Sequence, residues 1–202
     1  MYLKALRRKM KNKTLKKIIL FASGSGSNVQ NIIEYFSAFD RITTELVLTN
    51  NKKAGVLDRA KSLNVPFYVF NKEEYLDDSL LNKLQSIKPD LIVLAGFLLK
   101  IPKSIITVFP DKIINIHPAL LPKHGGIGMY GDRVHQSVID SGDIETGITI
   151  HYVNENYDEG SIIFQRAVEV SKADTAESIA NKVHQLEYMH YPEVVHQLLK
   201  DQ

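Results

Sequence analysis

Short apolar, β-branched runs alternate with amphipathic stretches along most of the chain. The runs at Lys17–Ala22, Glu45–Thr49, Phe67–Phe70, Asp90–Ala95 and Lys112–Ile116 read as strands. The segments around Val29–Phe36, Gly55–Leu63, Leu76–Ile87 and Lys103–Phe109 read as helices between them. Strands separated by helices imply βαβ units with right-handed crossovers, and so a doubly wound sheet. After Pro122 the pattern changes. His124-Gly125-Gly126-Ile127-Gly128 is too rich in glycine for a regular element and predicts a mobile loop, followed by a helix from Asp132 to about Ser141. Thr146–Val153 and Ser161–Val168 alternate as two strands, and their connection Asn154–Gly160 is short enough for an antiparallel hairpin. Asp174, with Glu177 three residues on, is placed to cap a long final helix running toward Leu199. The expected fold class is α/β: a single doubly wound, mostly parallel sheet with a C-terminal antiparallel hairpin and a long final helix.

The 202 residues suffice for one well-filled core, and a hydrophobic share of 44% is ordinary for a globular protein. No stretch approaches the ~20 apolar residues of a membrane span. The chain has no cysteine, which removes disulfides, thiolate chemistry and the commonest zinc ligand, and fits a cytoplasmic setting. The net charge of +2 hides an asymmetry: residues 1–17 hold 8 of the 25 basic residues and none of the 23 acidic ones. Residues 1–16 read as a basic, disordered leader ahead of a domain spanning 17–202; no apolar run follows the charges, so it does not read as a secretory signal. The acidic remainder does not suit nucleic-acid binding, which needs a basic face.

Asn115-Ile116-His117-Pro118-Ala119-Leu120-Leu121-Pro122 is the passage richest in chemistry. Side chains at i and i+2 of a strand share a face, so Asn115 and His117 can look into one cleft where the apolar run ends. An amide there can donate to a developing oxyanion while an imidazole handles a proton. A carboxylate such as Asp158, folded back onto His117, would orient the ring and favour its charged form; taken alone, Asp158 is a hairpin-turn residue beside Gly160. Phe21-Ala22-Ser23-Gly24-Ser25-Gly26-Ser27-Asn28 lies between the first strand and first helix, where free N–H groups attract an anion. Val29 replaces the third glycine of a dinucleotide fingerprint and no Gly-Lys-Ser/Thr follows, so one terminal phosphate fits better than a dinucleotide or triphosphate. The bland alternative is a tight turn capped by Ser27 or Asn28. The other histidines lack metal-ligand spacing, with His184, His190 and His196 scattered six apart around the last helix, and Glu187 reads there as a solvated face residue. An aromatic ligand could lie against the backbone where the Leu91–Leu94 strand ends at Gly96-Phe97.

The glycine loop, Leu94-Ala95-Gly96-Phe97, the Asn115–Pro122 block and the Asp158 turn occur in the order found in the folate-dependent formyltransferases, and nearly the whole chain from Lys17 onward resembles the branch of that family acting on glycinamide ribonucleotide. The resemblance implies formyl transfer from 10-formyltetrahydrofolate to the ribonucleotide amine, in purine biosynthesis, with no metal, nucleic acid or membrane, by a monomer or homodimer. It implies a catalytic set of Asn115, His117 and Asp158. Gly26, Ser27 and Asn28 would hold the phosphate, and Glu187 would meet the ribose hydroxyls. Leu98, Leu99, Lys100 and Ile101, with Asn115 and the Asp158 hairpin, would flank the folate, Lys72 would lie near its tail, and Thr149 would supply a small hydroxyl. Many members have Met-Arg where this chain has Leu98-Leu99, and the His124–Gly131 segment is longer and richer in glycine, as for a lid. Sister enzymes acting on aminoacyl-tRNA or an amino sugar, a formyltetrahydrofolate hydrolase, and a non-catalytic phosphate-sensing module are the alternatives.

Overall fold

Apolar side chains on both faces of the central strands force them inside, between two layers of helix. The computed structural model describes residues 15–200. The predicted basic leader lies outside them except for Leu15 and Lys16, and Lys16 opens the first strand.

Seven strands form one sheet: β1 (Lys16–Phe21), β2 (Ile42–Thr49), β3 (Phe67–Val69), β4 (Leu91–Leu94), β5 (Ile113–His117), β6 (Glu145–Tyr152) and β7 (Ile162–Glu169). Their order is β3-β2-β1-β4-β5-β6-β7, parallel from β3 through β5. The antiparallel hairpin forms as expected, and β6 is also antiparallel to β5, a pairing the sequence reading left unassigned. One helical layer holds α1 (Ser27–Phe36) and the long α7 (Ala176–Lys200), with α2 (Val56–Ser62) and α6 (Asp132–Asp140) packed beside them. The opposite face is covered by α3 (Lys72–Leu76), α4 (Ser79–Ile87) and α5 (Lys103–Val108).

Alternation along β5 divides its side chains between the two cores. Ile114 and Ile116 join Ile18, Leu20 and Val93 against α1 and α7, while Ile113 joins Ile19, Phe21 and Ile92 on the other side. Each such side chain contributes about 1.5–3 kcal/mol by leaving water, so a slip of one residue in β5 would be heavily opposed. That register delivers Asn115 and His117 to the carboxyl end of the strand.

Two predicted elements differ in detail. The helix expected over Leu76–Ile87 is two helices, because Asn71 and Glu74 form a reciprocal capping box that starts α3 early and the chain turns extended at Asp77. The last helix is capped by Thr175, whose hydroxyl accepts from Ser178 N at 3.2 Å. Asp174 instead accepts from Ser171 N, Ser178 Oγ and Lys182 Nζ, bracing the turn ahead of the helix.

Candidate active site

Strand order reverses between β1 and β4, the place where loops diverge and open α/β sheets hold ligands. A cavity of about 530 Å³ opens there. It is lined by the loop after β1, the loop after β4, the end of β5, the His124–Gly131 segment, the β6–β7 hairpin and one face of α7.

At one end lies the glycine loop. Gly26 has φ +77° and a Cβ there would sit 2.5 Å from Val56 Cβ, so only glycine fits. It caps α1 with no side-chain hydrogen bond, leaving the first-turn N–H groups facing the cavity without a capping side chain. The bland expectation of a Ser27 or Asn28 cap is not met. Asn28 Nδ2 donates instead to Glu187 Oε2 at 2.8 Å, across the interface of α1 and α7. Glu187 is 6% exposed rather than a solvated face residue. Burial pushes its carboxyl pKa up, opposed by Asn28 and His184. His184 and His135 line the same end. Among the described residues His135 Nδ1 is buried without a hydrogen-bond partner, and burial holds that imidazole below its ordinary pKa.

In the middle, the structure brings Asn115, His117 and Asp158 together. His117 is 3% exposed, with Nδ1 3.5 Å from Asp158 Oδ2. Its Nε2 donates to the His124 carbonyl at 2.8 Å. A carbonyl can only accept, so Nε2 carries a hydrogen and Nδ1 is the nitrogen left for proton exchange. Burial holds the His117 pKa below its ordinary value, although Asp158 and the His124 carbonyl pull the other way. The carboxylate favours the charged ring, as the sequence suggested, yet desolvation outweighs it and favours the neutral ring. Asp158 behaves oppositely. Burial works against its ionisation, but His151, His117 and the Gly126 N–H, which donates to Oδ2 at 2.9 Å, hold its carboxyl below the usual range. The residue itself sits at φ +56°, a turn conformation that Asp tolerates better than most side chains.

His151 is the residue sequence reasoning passed over. It lies opposite Asn115 across the β5–β6 pairing, and its Nδ1 donates to the Tyr152 carbonyl at 2.9 Å. The remaining Nε2 accepts from Asn115 Nδ2 at 3.2 Å and lies 3.6 Å from Asp158 Oδ1. That acceptor fixes which way the Asn115 amide points and leaves its second N–H hydrogen for a ligand. A polar residue on the same strand face as Thr149 was the available signal. Gly160 completes the arrangement, because a Cβ there would lie 1.7 Å from the Tyr152 carbonyl oxygen. Thr149 is fully buried; its hydroxyl donates to the Ala119 carbonyl at 2.7 Å and accepts from Leu121 N at 2.9 Å, fastening the turn after His117.

The other end is framed by Leu94–Ile101 and by Val153–Asp158. Leu98 and Leu99 are exposed and Ile101 is buried. Lys100 presents its ammonium over the Tyr157 ring, and its carbonyl accepts from Tyr75 Oη at 2.8 Å. Ser23 of the glycine loop reaches the other end: its hydroxyl accepts from Leu98 N at 3.1 Å and donates to Asn50 Oδ1 at 2.7 Å. Lys72, exposed at the start of α3, is not among the residues lining the cavity. Among the described residues no helix is long and apolar enough to cross a membrane.

A family model described as formyl transferase matches residues 16–195. The chain is 35% identical over 191 residues to the phosphoribosylglycinamide formyltransferase of Bacillus subtilis (strain 168), covering 92% of this chain and 95% of that protein. It is 42% identical over 188 residues to the chloroplastic phosphoribosylglycinamide formyltransferase of Arabidopsis thaliana, covering 89% of this chain but spanning only 64% of that protein's length. Among solved structures, the phosphoribosylglycinamide formyltransferase of Anaplasma phagocytophilum superposes with a TM-score of 0.84 at 33% identity, covering 94% of this chain and 88% of that one.

Proposed function

The chain belongs to the formyl transferase family, and from that premise we propose that it transfers a formyl group from 10-formyltetrahydrofolate to the amine of glycinamide ribonucleotide, a step of purine biosynthesis in the cytoplasm. The observation that carries the reading is the convergence of Asn115, His117 and Asp158 midway between two chemically different ends of one cavity. The open N-terminus of α1, with Gly26, Ser27 and Asn28, suits a phosphate, and Glu187 suits ribose hydroxyls. The Leu98–Ile101 backbone and the Val153–Asp158 hairpin suit a flat heteroaromatic ring.

The neutral amine attacks the formyl carbon, a C–N bond forms, and the carbonyl oxygen becomes an oxyanion. The free Asn115 N–H donates to that oxygen. Such donors are typically worth ~10²–10³ in rate. His117 Nδ1 takes the proton released by the amine, and the imidazolium so formed is stabilised by Asp158. The same proton passes to the folate nitrogen as the C–N bond to folate breaks, giving tetrahydrofolate and the formylated amide. No covalent enzyme intermediate is required. Asn115→Ala and His117→Ala should each lower kcat by ~10²–10³ or more while leaving ribonucleotide affinity, measured by calorimetry, close to wild type. Full turnover in either variant would sink the assignment.

A further inference from the structure

Besides the Gly126 N–H bond to Asp158, the glycine-rich segment at the cavity mouth is held at a residue that its sequence gives no reason to single out. The His124 carbonyl accepts from His117 Nε2 at 2.8 Å. Both nitrogens of the His124 ring are engaged as well: Nδ1 lies 2.8 Å from Ser137 Oγ on α6, and Nε2 lies 2.8 Å from Asp143 Oδ2 in the turn before β6. The His124 backbone has φ +56°, which a non-glycine residue holds only when its surroundings over-determine it. Asp143 also accepts from the exposed Lys123 Nζ at 2.8 Å. A continuous line therefore runs from Asp143 through the His124 ring and carbonyl to His117 and Asp158.

We propose that His124, anchored by Asp143 and Ser137, is the positioning residue that fixes the tautomer of His117. The neutral His117 ring has one hydrogen and two competing acceptors, the His124 carbonyl at 2.8 Å and the Asp158 carboxylate at 3.5 Å. The carboxylate is the stronger acceptor. If the carbonyl swung away, the hydrogen would move to Nδ1 against Asp158, and Nδ1 would cease to be a base. Holding the carbonyl in place keeps Nδ1 free for the substrate proton. The charged and titratable groups facing His117 are Asp158, His151, His124 itself and, further off, His135. Those facing His124 are Asp143 and, one step out, Lys123.

The claim deepens the functional reading above and rests on it for its effect on turnover, but the tautomer can be read without any substrate. In protein carrying ¹⁵N-labelled histidine, ring-nitrogen shifts recorded above the titration of His117 should show hydrogen on Nε2 in the wild type. His124→Asn tolerates the positive φ but loses the ring, and Asp143→Ala removes the anchor. Both should move the hydrogen to Nδ1 and lower kcat by roughly 10–100-fold, the usual cost of removing a group that orients a functional histidine, with KM for the ribonucleotide unchanged. Asp143→Asn, whose oxygen can still accept from His124 Nε2, should keep the wild-type tautomer and rate. If either strong variant fails to fold, Ser137→Ala should still shift part of the population. Retention of the Nε2–H tautomer in the folded variants, whether or not kcat falls, overturns the proposal. Absence of formyl transfer by the wild type would instead sink the functional reading and leave the tautomer result standing.

Discussion

Replacing Asp158 by asparagine removes a charge while keeping the shape of the hairpin turn. One carboxylate oxygen accepts from the Gly126 N–H at 2.9 Å and lies 3.5 Å from His117 Nδ1, and the other lies 3.6 Å from His151 Nε2. An asparagine oxygen can keep the Gly126 bond, so the segment over the cavity stays attached. What disappears is the attraction for positive charge on His117. At the observed 3.5 Å, two unit charges in an effective dielectric of ~20 attract by about 5 kcal/mol, and about 1.4 kcal/mol is a factor of ten in rate, so the ceiling lies at roughly a 10³–10⁴-fold loss. Partial charge development in the transition state places the expected fall in kcat at roughly 10²–10³-fold. Single-turnover formyl transfer, followed by folate absorbance across pH, measures it, with a melting curve to establish that the variant is folded. Because Asp158 raises the His117 pKa against burial, the acid limb of the profile should also move to lower pH. A folded Asp158→Asn protein losing less than about tenfold in kcat, with its acid limb unmoved, would refute the reasoning.

Three further outcomes follow from the same geometry. In the wild type the acid limb of kcat/KM should lie below the ordinary imidazole value of 6.5, because burial lowers the His117 pKa; stability should fall alongside as pH drops through that lowered value, since the unfolded chain then binds the proton the fold resists. A limb above 6.5 would contradict the assignment. Gly26→Ala should destabilise the protein by about 1–3 kcal/mol by driving a methyl into Val56, and phosphate protection against thermal melting should vanish with it; an unchanged melting temperature would count against the packing argument. Glu187→Gln should raise KM for the ribonucleotide by roughly 10–100-fold, the equivalent of 1.5–3 kcal/mol for a hydrogen bond to a charged group, with kcat little changed. Since burial raises the Glu187 pKa, the wild type should also lose stability as pH climbs from the ordinary carboxylate value through the raised one, and Gln should abolish that slope in melts recorded against pH.

Most of the sheet was legible because strand period and burial agree: Ile114 and Ile116 go to one core and Ile113 to the other, as alternation requires. The same alternation placed Asn115 and His117 on one face. Asp158 was different: nothing local separates it from an aspartate that merely tolerates a turn, and only its place in a family pattern set it apart. Glu187 misled because α7 buries a face that its sequence does not mark as apolar, against Asn28 of a helix far away in the chain. His151 and His124 stayed hidden because their roles depend on the pairing of β6 with β5 and on a backbone carbonyl. The glycine-rich segment was expected to be mobile; instead His124 is tied through both ring nitrogens and Gly126 through its N–H, leaving Ile127 as its exposed tip.

The central claim is that this cavity transfers formyl to a phosphorylated amine. Purified protein mixed with 10-formyltetrahydrofolate, with and without glycinamide ribonucleotide, tests it through folate absorbance and product mass. The account predicts that tetrahydrofolate forms only when the ribonucleotide is present, one formylated product per folate consumed, with no release of formate. Folate turnover independent of the ribonucleotide, or none with it, would contradict the account.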